Sequence, residues 1–274
     1  MKTIKIFLQS FSAILTVAIV ITSCGGRQED RSRAITDNRE RVATEAVSPE
    51  EYPIPTSVEV VELLQRAGAP YILGISNSAA NVDKYFTERS KALNLGVYGA
   101  DLSYAAIYEM NTETRRYLQV TRQLIDELNI STTFNRDFVE RVENNIDDKD
   151  SLIYIVSDSF YDTYEFLAGQ RRDDLSLLVM TGSWIEGMYL TSQIALGARE
   201  NTEITDIIIR QDEPLEVLLS LMEDINDQGD SDFLYSELSD IYDFIKDLQT
   251  PMSDQELDTF AEKIENLRTE IVQM

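Results

Sequence analysis

From Thr56 onward, apolar residues recur three and four positions apart almost without interruption, and that spacing commits the chain to helices. An α-helix completes a turn in 3.6 residues, so such residues form one stripe that must be buried against a neighbour. A half-buried strand needs alternation instead, and the hairpin dipeptides Asn-Gly and Asp-Gly do not occur. Ile153-Tyr154-Ile155-Val156 and Ile207-Ile208-Ile209 have strand-forming composition. Both sit inside longer stretches of helical spacing, so helix is expected there too.

Two segments are apolar around most of their circumference, the pattern of a central helix rather than a peripheral one. Ala92 to Met110 carries a stripe of Leu95, Gly99, Leu102, Ala106 and Met110 and another of Val97, Asp101, Tyr104 and Tyr108. Leu175 to Leu196 carries Leu178, Gly182, Ile185, Tyr189 and Ser192 in three-four spacing, with Trp184 and Met188 on another face. A glycine inside a helix costs about 1 kcal/mol against alanine. Gly96, Gly99, Gly182 and Gly187 therefore suggest close helix approach, of these two segments to each other or to a neighbour.

The outer segments have narrower stripes: Ser57 to Ala67, Thr112 to Leu128, Phe134 to Ile146, Asp148 to Leu167, and Thr202 to Arg210, after which Pro214 suits a first helical turn and starts a new helix to about Asn226. Leu234, Leu238, Ile241, Ile245 and Leu248 face Leu257, Phe260, Ile264, Leu267 and Ile271 across Thr250-Pro251-Met252, with Ser253 and Glu256 as a capping box. There is no period near 34 residues and no tetratricopeptide pattern. The expected fold is all-α: a globular antiparallel bundle of about eight to nine helices over residues 57–274, ending in a helical hairpin.

The start of the chain is of another kind. Lys2 and Lys5 precede a charge-free run from Ile6 to Gly26, which is a signal-peptide pattern. About 20 apolar residues also span a bilayer, so an uncleaved anchor helix competes with it. The ending decides: Ile21-Thr22-Ser23-Cys24-Gly25-Gly26 resembles the lipobox, in which small residues admit a dedicated peptidase and the cysteine thiol receives diacylglycerol. That resemblance implies a bacterial lipoprotein, with residues 1–23 removed and Cys24 lipidated. Gly25 in place of Asp departs from the inner-membrane retention signal of enteric bacteria, which implies outer-membrane sorting. Glu29 and Asp30 loosely resemble the acidic surface-export tags of Bacteroidota lipoproteins. The stretches Gly96-Val97-Tyr98-Gly99-Ala100-Asp101, Asp148-Lys149-Asp150-Ser151-Leu152 and Gly182-Ser183-Trp184-Ile185-Glu186 are similar to segments of uncharacterised Bacteroidota lipoproteins, a likeness that brings no activity with it. Residues 24–56, polar and with Pro49, Pro53 and Pro55 near their end, read as a flexible tether of roughly 30 Å.

Charge and composition then exclude whole classes of chemistry. The chain carries 24 basic and 49 acidic side chains, a net charge of −25, and becomes more negative once Lys2 and Lys5 leave with the signal. Nucleic acid is an improbable partner, because a polyanion needs a basic stripe that releases counterions. Attachment would rest on acyl chains rather than on basic residues at anionic headgroups. Histidine is absent and the lone cysteine is Cys24, which removes Ser-His-Asp and Cys-His nucleophiles, the usual zinc sites and the carboxylate di-iron bundle. No lysine has serine three positions before it, and neither G-x-x-x-x-G-K nor G-x-G-x-x-G occurs. Gly74-Ile75-Ser76-Asn77-Ser78 lacks the final glycine of a nucleophile elbow and reads as a turn. No cofactor is implied and no catalytic residue is assigned.

Asp101 and Glu186 draw attention, since each interrupts an apolar helix and a buried carboxylate must find a hydrogen bond or a charge. They could line a pocket with Gln193, Tyr104 and Tyr108; the plainer expectation is a structural contact, Asp101 to a tyrosine hydroxyl and Glu186 to an arginine. Asp224 to Asp232 resembles a calcium loop but puts Gln228 at the fifth position and Tyr235 in place of the bidentate Glu, so the EF-hand fails. Asp232 reads instead as an N-cap. Tyr154, Asp158, Tyr161 and Glu165 share a helix face that suits a glycan or protein, or plain solvent. The sequence thus supports a membrane-anchored scaffold or binding module with an envelope protein as partner, small-ligand binding being compatible. The alternative is a hydrolase of glycans working with carboxylates alone, which needs two of them in one cleft about 5 to 9 Å apart.

Overall fold

The computed structural model describes residues 54–130, 132–225 and 232–274, which form ten α-helices and one 3-10 helix, with no strand among the described residues. The signal segment, Cys24, the tether up to residue 53 and the acidic loop 226–231 lie outside them. In chain order the helices are α1 (Ser57–Arg66), α2 (Glu88–Ile107), α3 (Asn111–Glu127), α4 (Thr132–Asn144), α5 (Lys149–Gly169), α6 (Asp173–Gly197), α7 (Thr202–Ile209), α8 (Asp212–Ile225), α9 (Asp232–Ile245) and α10 (Asp254–Gln273). The 3-10 helix, Ala79–Lys84, lies between α1 and α2. The all-α bundle expected from spacing is what the chain adopts. Among the described residues there are ten helices against an expected eight to nine, with α7 and α8 separate as the break before Pro214 implies. Ile54 is already in the core, two residues before the expected end of the tether.

The centre is the pair α2 and α6. Every residue from Ala92 to Ile107 and from Leu175 to Met188 is buried, which is why neither helix shows one apolar face. Although α6 is long and apolar, none of the described helices qualifies to cross a membrane. Glycine sets the crossing. A Cβ on Gly96 would lie 2.0 Å from the Val179 carbonyl oxygen, and one on Gly182 would lie 1.9 Å from that of Leu93. Backbone therefore meets backbone there. A Cβ on Gly99 would meet the Phe160 ring of α5 at 2.8 Å, a close approach to a neighbour, whereas Gly187 has nothing within 4 Å and lies outside the contact.

The other helices close around this pair by their stripes. Tyr117, Leu124 and Leu128 of the α3 stripe are buried, and so are the facing residues expected in the α9–α10 hairpin, from Leu234 to Ile271. Several helix ends are capped by side chains. Asp148 accepts from the Ser151 amide at 3.2 Å, and Asn94 Nδ2 and the Tyr85 hydroxyl donate to the carbonyls of Ile271 (2.8 Å) and Val272 (3.3 Å) at the end of α10. At its start Ser253 and Glu256 form the box read from the sequence: the Ser253 amide donates to Glu256 Oε2 at 2.7 Å and the Glu256 amide to Ser253 Oγ at 3.3 Å. Ser253→Ala should destabilise the protein by about 1 kcal/mol, read from the urea midpoint, with Ser253→Asp within a few tenths of the parent.

Candidate functional site

Residues 68–78 leave α1 through Gly68, in the left-handed region at φ 74°, and run back along α2 as a strap without regular structure. Such a segment needs partners for its peptide groups. It finds them in α2 side chains at three- and four-residue spacing, which share one face of that helix. The Tyr108 hydroxyl donates to Ala69 O at 2.8 Å, Ile72 N to the Tyr104 hydroxyl at 2.7 Å, Asn77 N to Asp101 Oδ2 at 3.0 Å, and the Tyr98 hydroxyl to Ser78 O at 2.8 Å. The order is antiparallel: the strap rises in number as α2 falls. Tyr71 of the strap stacks on Tyr104 with ring centroids 4.5 Å apart. Burial pushes the Tyr71 and Tyr104 hydroxyls up to about 12, so both stay protonated at neutral pH.

Beneath the middle of the strap sits a buried charge cluster. Glu186 on α6 is fully buried and takes a two-pronged ion pair from Arg268 on α10, Nε to Oε2 at 2.7 Å and Nη2 to Oε1 at 2.8 Å. Such a fork matches carboxylate geometry and is the strongest form of the contact. The guanidinium lies 4.1 Å from the ring centroid of Tyr189, and its Nη2 also approaches Ile75 O of the strap at 3.5 Å. Burial works against the charge of Arg268, but Glu186 and then Asp101 outweigh it and raise its affinity for the proton.

Asp101, also fully buried, has less. Oδ2 accepts from Asn77, while Oδ1 has no hydrogen-bond partner. The Ser76 hydroxyl, on the strap, lies within electrostatic reach but closes no bond. Burial, and then the charge of Glu186, push the Asp101 carboxyl well above the usual carboxylate range; Arg268 and the strap offset this in part. Two acids share one cation, and the one without the fork binds its proton the more tightly for being buried beside the other.

The structure thus brings Asp101 and Glu186 together and sets Tyr104 and Tyr108 on the same stretch of strap. Glu186 has the arginine contact expected of it, whereas Asp101 bonds a backbone amide rather than a tyrosine hydroxyl. Gln193 Nε2 has no hydrogen-bond partner. Trp184 is a core residue, 4% exposed, with Nε1 donating to Gln211 Oε1 at 3.2 Å. Arg268 was not singled out by sequence, although it occupies the α10 stripe between Ile264 and Ile271, where a cation signals a buried acid opposite.

Two further regions offer less. A cleft of about 360 Å³ between α1 and α7 mixes Leu63 with Arg66, Arg210, Glu203 and Asp206. On α5, Asp158 pairs with Arg141 at 2.8 Å, and Arg141 lies 6.0 Å from the Tyr154 ring. Burial and then the neighbouring Asp158 push Asp162, one turn on, up to about 6.

Comparison of the chain with protein-family models, curated proteins and solved structures finds no match. Fold and site therefore define the class by themselves: an all-α bundle whose interior holds a carboxylate–guanidinium cluster under a side-chain-tethered strap.

Proposed function

We propose that this chain is an envelope lipoprotein, held to the outer membrane by lipid on Cys24, that acts through non-covalent contacts as a scaffold or accessory subunit. What supports the anchor is the lipobox-like sequence at Ile21–Gly26. The observation that carries the non-catalytic reading is the Arg268 fork on Glu186: of the two acids that stood out, one is neutralised in the core and the other is sealed beside it. Neither is presented to a substrate. A reaction on glycans would have to use other carboxyls, and Asp158 and Asp162 on the half-buried face of α5 are the pair with one member near neutral titration. That alternative predicts polysaccharide cleavage lost in Asp162→Asn.

The direct test is crosslinking in intact cells and capture of the tagged full chain, beside a Cys24→Ala variant. Recovery of one envelope protein in near-equal amount, lost with the anchor, is the expected result. Recovery at background level in both would sink the scaffold reading.

A further inference from the structure

We propose that the strap of residues 68–78 is a conformational element that opens as the surroundings become more alkaline, with the proton on Asp101 as its latch. The geometry has three parts. First, the strap covers Asp101: Asn77, 3% exposed, bonds Oδ2, and Ser76 lies near the carboxyl. Second, the strap is held mainly by side chains, of α2 and α10 and of Asn81 and Tyr85, rather than by a backbone ladder, so it can separate while the helices keep their own hydrogen bonds. Third, the cluster is short of positive charge, because both prongs of Arg268 are engaged by Glu186.

Groups on α2, α3, α6, α10 and the strap bear on the proton. Glu186 from α6 repels an ionised Asp101, and Arg268 from α10 is the cation that acts on it. Tyr98 and Tyr104 of α2, Tyr117 of α3, Tyr189 of α6 and Tyr71 of the strap each sense its charge. Burial raises all five hydroxyls, so they remain neutral and supply no compensation.

The sign follows from proton linkage. Covered, Asp101 keeps its proton well above the ordinary carboxylate range; uncovered, water returns it toward about 3.9. Between those limits each opening releases a proton, so the closed strap is fully favoured below about pH 4 and loses ground as pH rises through the range of the covered carboxyl. One released proton makes the opening equilibrium about tenfold more favourable per pH unit. Opening bares the hydroxyl face of α2, which the closed strap covers.

The test is amide hydrogen exchange of the full chain, corrected for intrinsic rates, from pH 5 to 7. Protection of strap amides should fall as pH rises, by up to about tenfold per unit, while amides at the centre of α2 and α6 keep theirs. In Asp101→Asn, whose side-chain oxygen still accepts from Asn77, strap protection should stay within twofold. In Glu186→Gln, which frees Arg268 to serve Asp101, the fall should shrink. Flat strap protection in the parent, an equal fall in both variants, or an equal fall at the centre of α2 and α6 overturns the proposal.

Discussion

Gly182→Ala is expected to lower the stability of the bundle by about 3 kcal/mol or more, although alanine is the better helix former. The added methyl carbon would sit 1.9 Å from the Leu93 carbonyl oxygen and 2.8 Å from its carbon. Those are backbone atoms of a helix buried on all sides, so no rotamer change relieves the clash and α2 must shift as a body. Interiors are packed too densely to absorb such a shift locally. Gly187, five residues on in α6, supplies the control. Nothing lies within 4 Å of its missing methyl, so Gly187→Ala should be neutral or gain about 0.5–1 kcal/mol from helix propensity. Urea denaturation of both variants reads the difference as opposite shifts in midpoint. Equal shifts would mean that α2 and α6 do not cross at these glycines.

Arg268→Met should cost about 3–5 kcal/mol, because it strands Glu186 without its partner in the interior. A buried ion pair is a poor source of net stability, yet an unpaired buried ion is severely unfavourable. The second substitution therefore decides the meaning of the first. Glu186→Met placed on top of Arg268→Met should recover most of the loss, leaving a coupling of at least about 2 kcal/mol in the double-mutant cycle. Additive losses would assign Arg268 a packing role over Tyr189, with the fork contributing little.

Much of this architecture was legible in the residues before any coordinates. Period decided helix against strand, and circumference decided centre against surface. Ala92 to Met110 and Leu175 to Leu196 were marked as central because they lack a polar face, and α2 and α6 are the helices buried on all sides. Glycine in a helix pointed to backbone contact, correctly at Gly96 and Gly182 but not at Gly187, since a helix has several faces and spacing does not say which one meets a neighbour. The cluster was half visible. Asp101 and Glu186 stood out as acids in apolar helices, but the partner of Glu186 is 82 residues away and its arginine resembled any other basic residue. The strap was the least legible part. Gly74 to Ser78 reads as a turn, and local spacing cannot reveal that its peptide groups are received by side chains of a helix begun ten residues later.

The long separation within that ion pair has a consequence for how the protein is made. Glu186 and Asp101 leave the ribosome well before Arg268, and the carbonyls to which Asn94 and Tyr85 donate, at Ile271 and Val272, come later still. Until α10 docks, closing α2 onto α6 would entomb an acid with no cation, so the nascent chain has reason to keep its two central helices apart. The core's charge is therefore balanced only once α10, which carries the guanidinium, has docked.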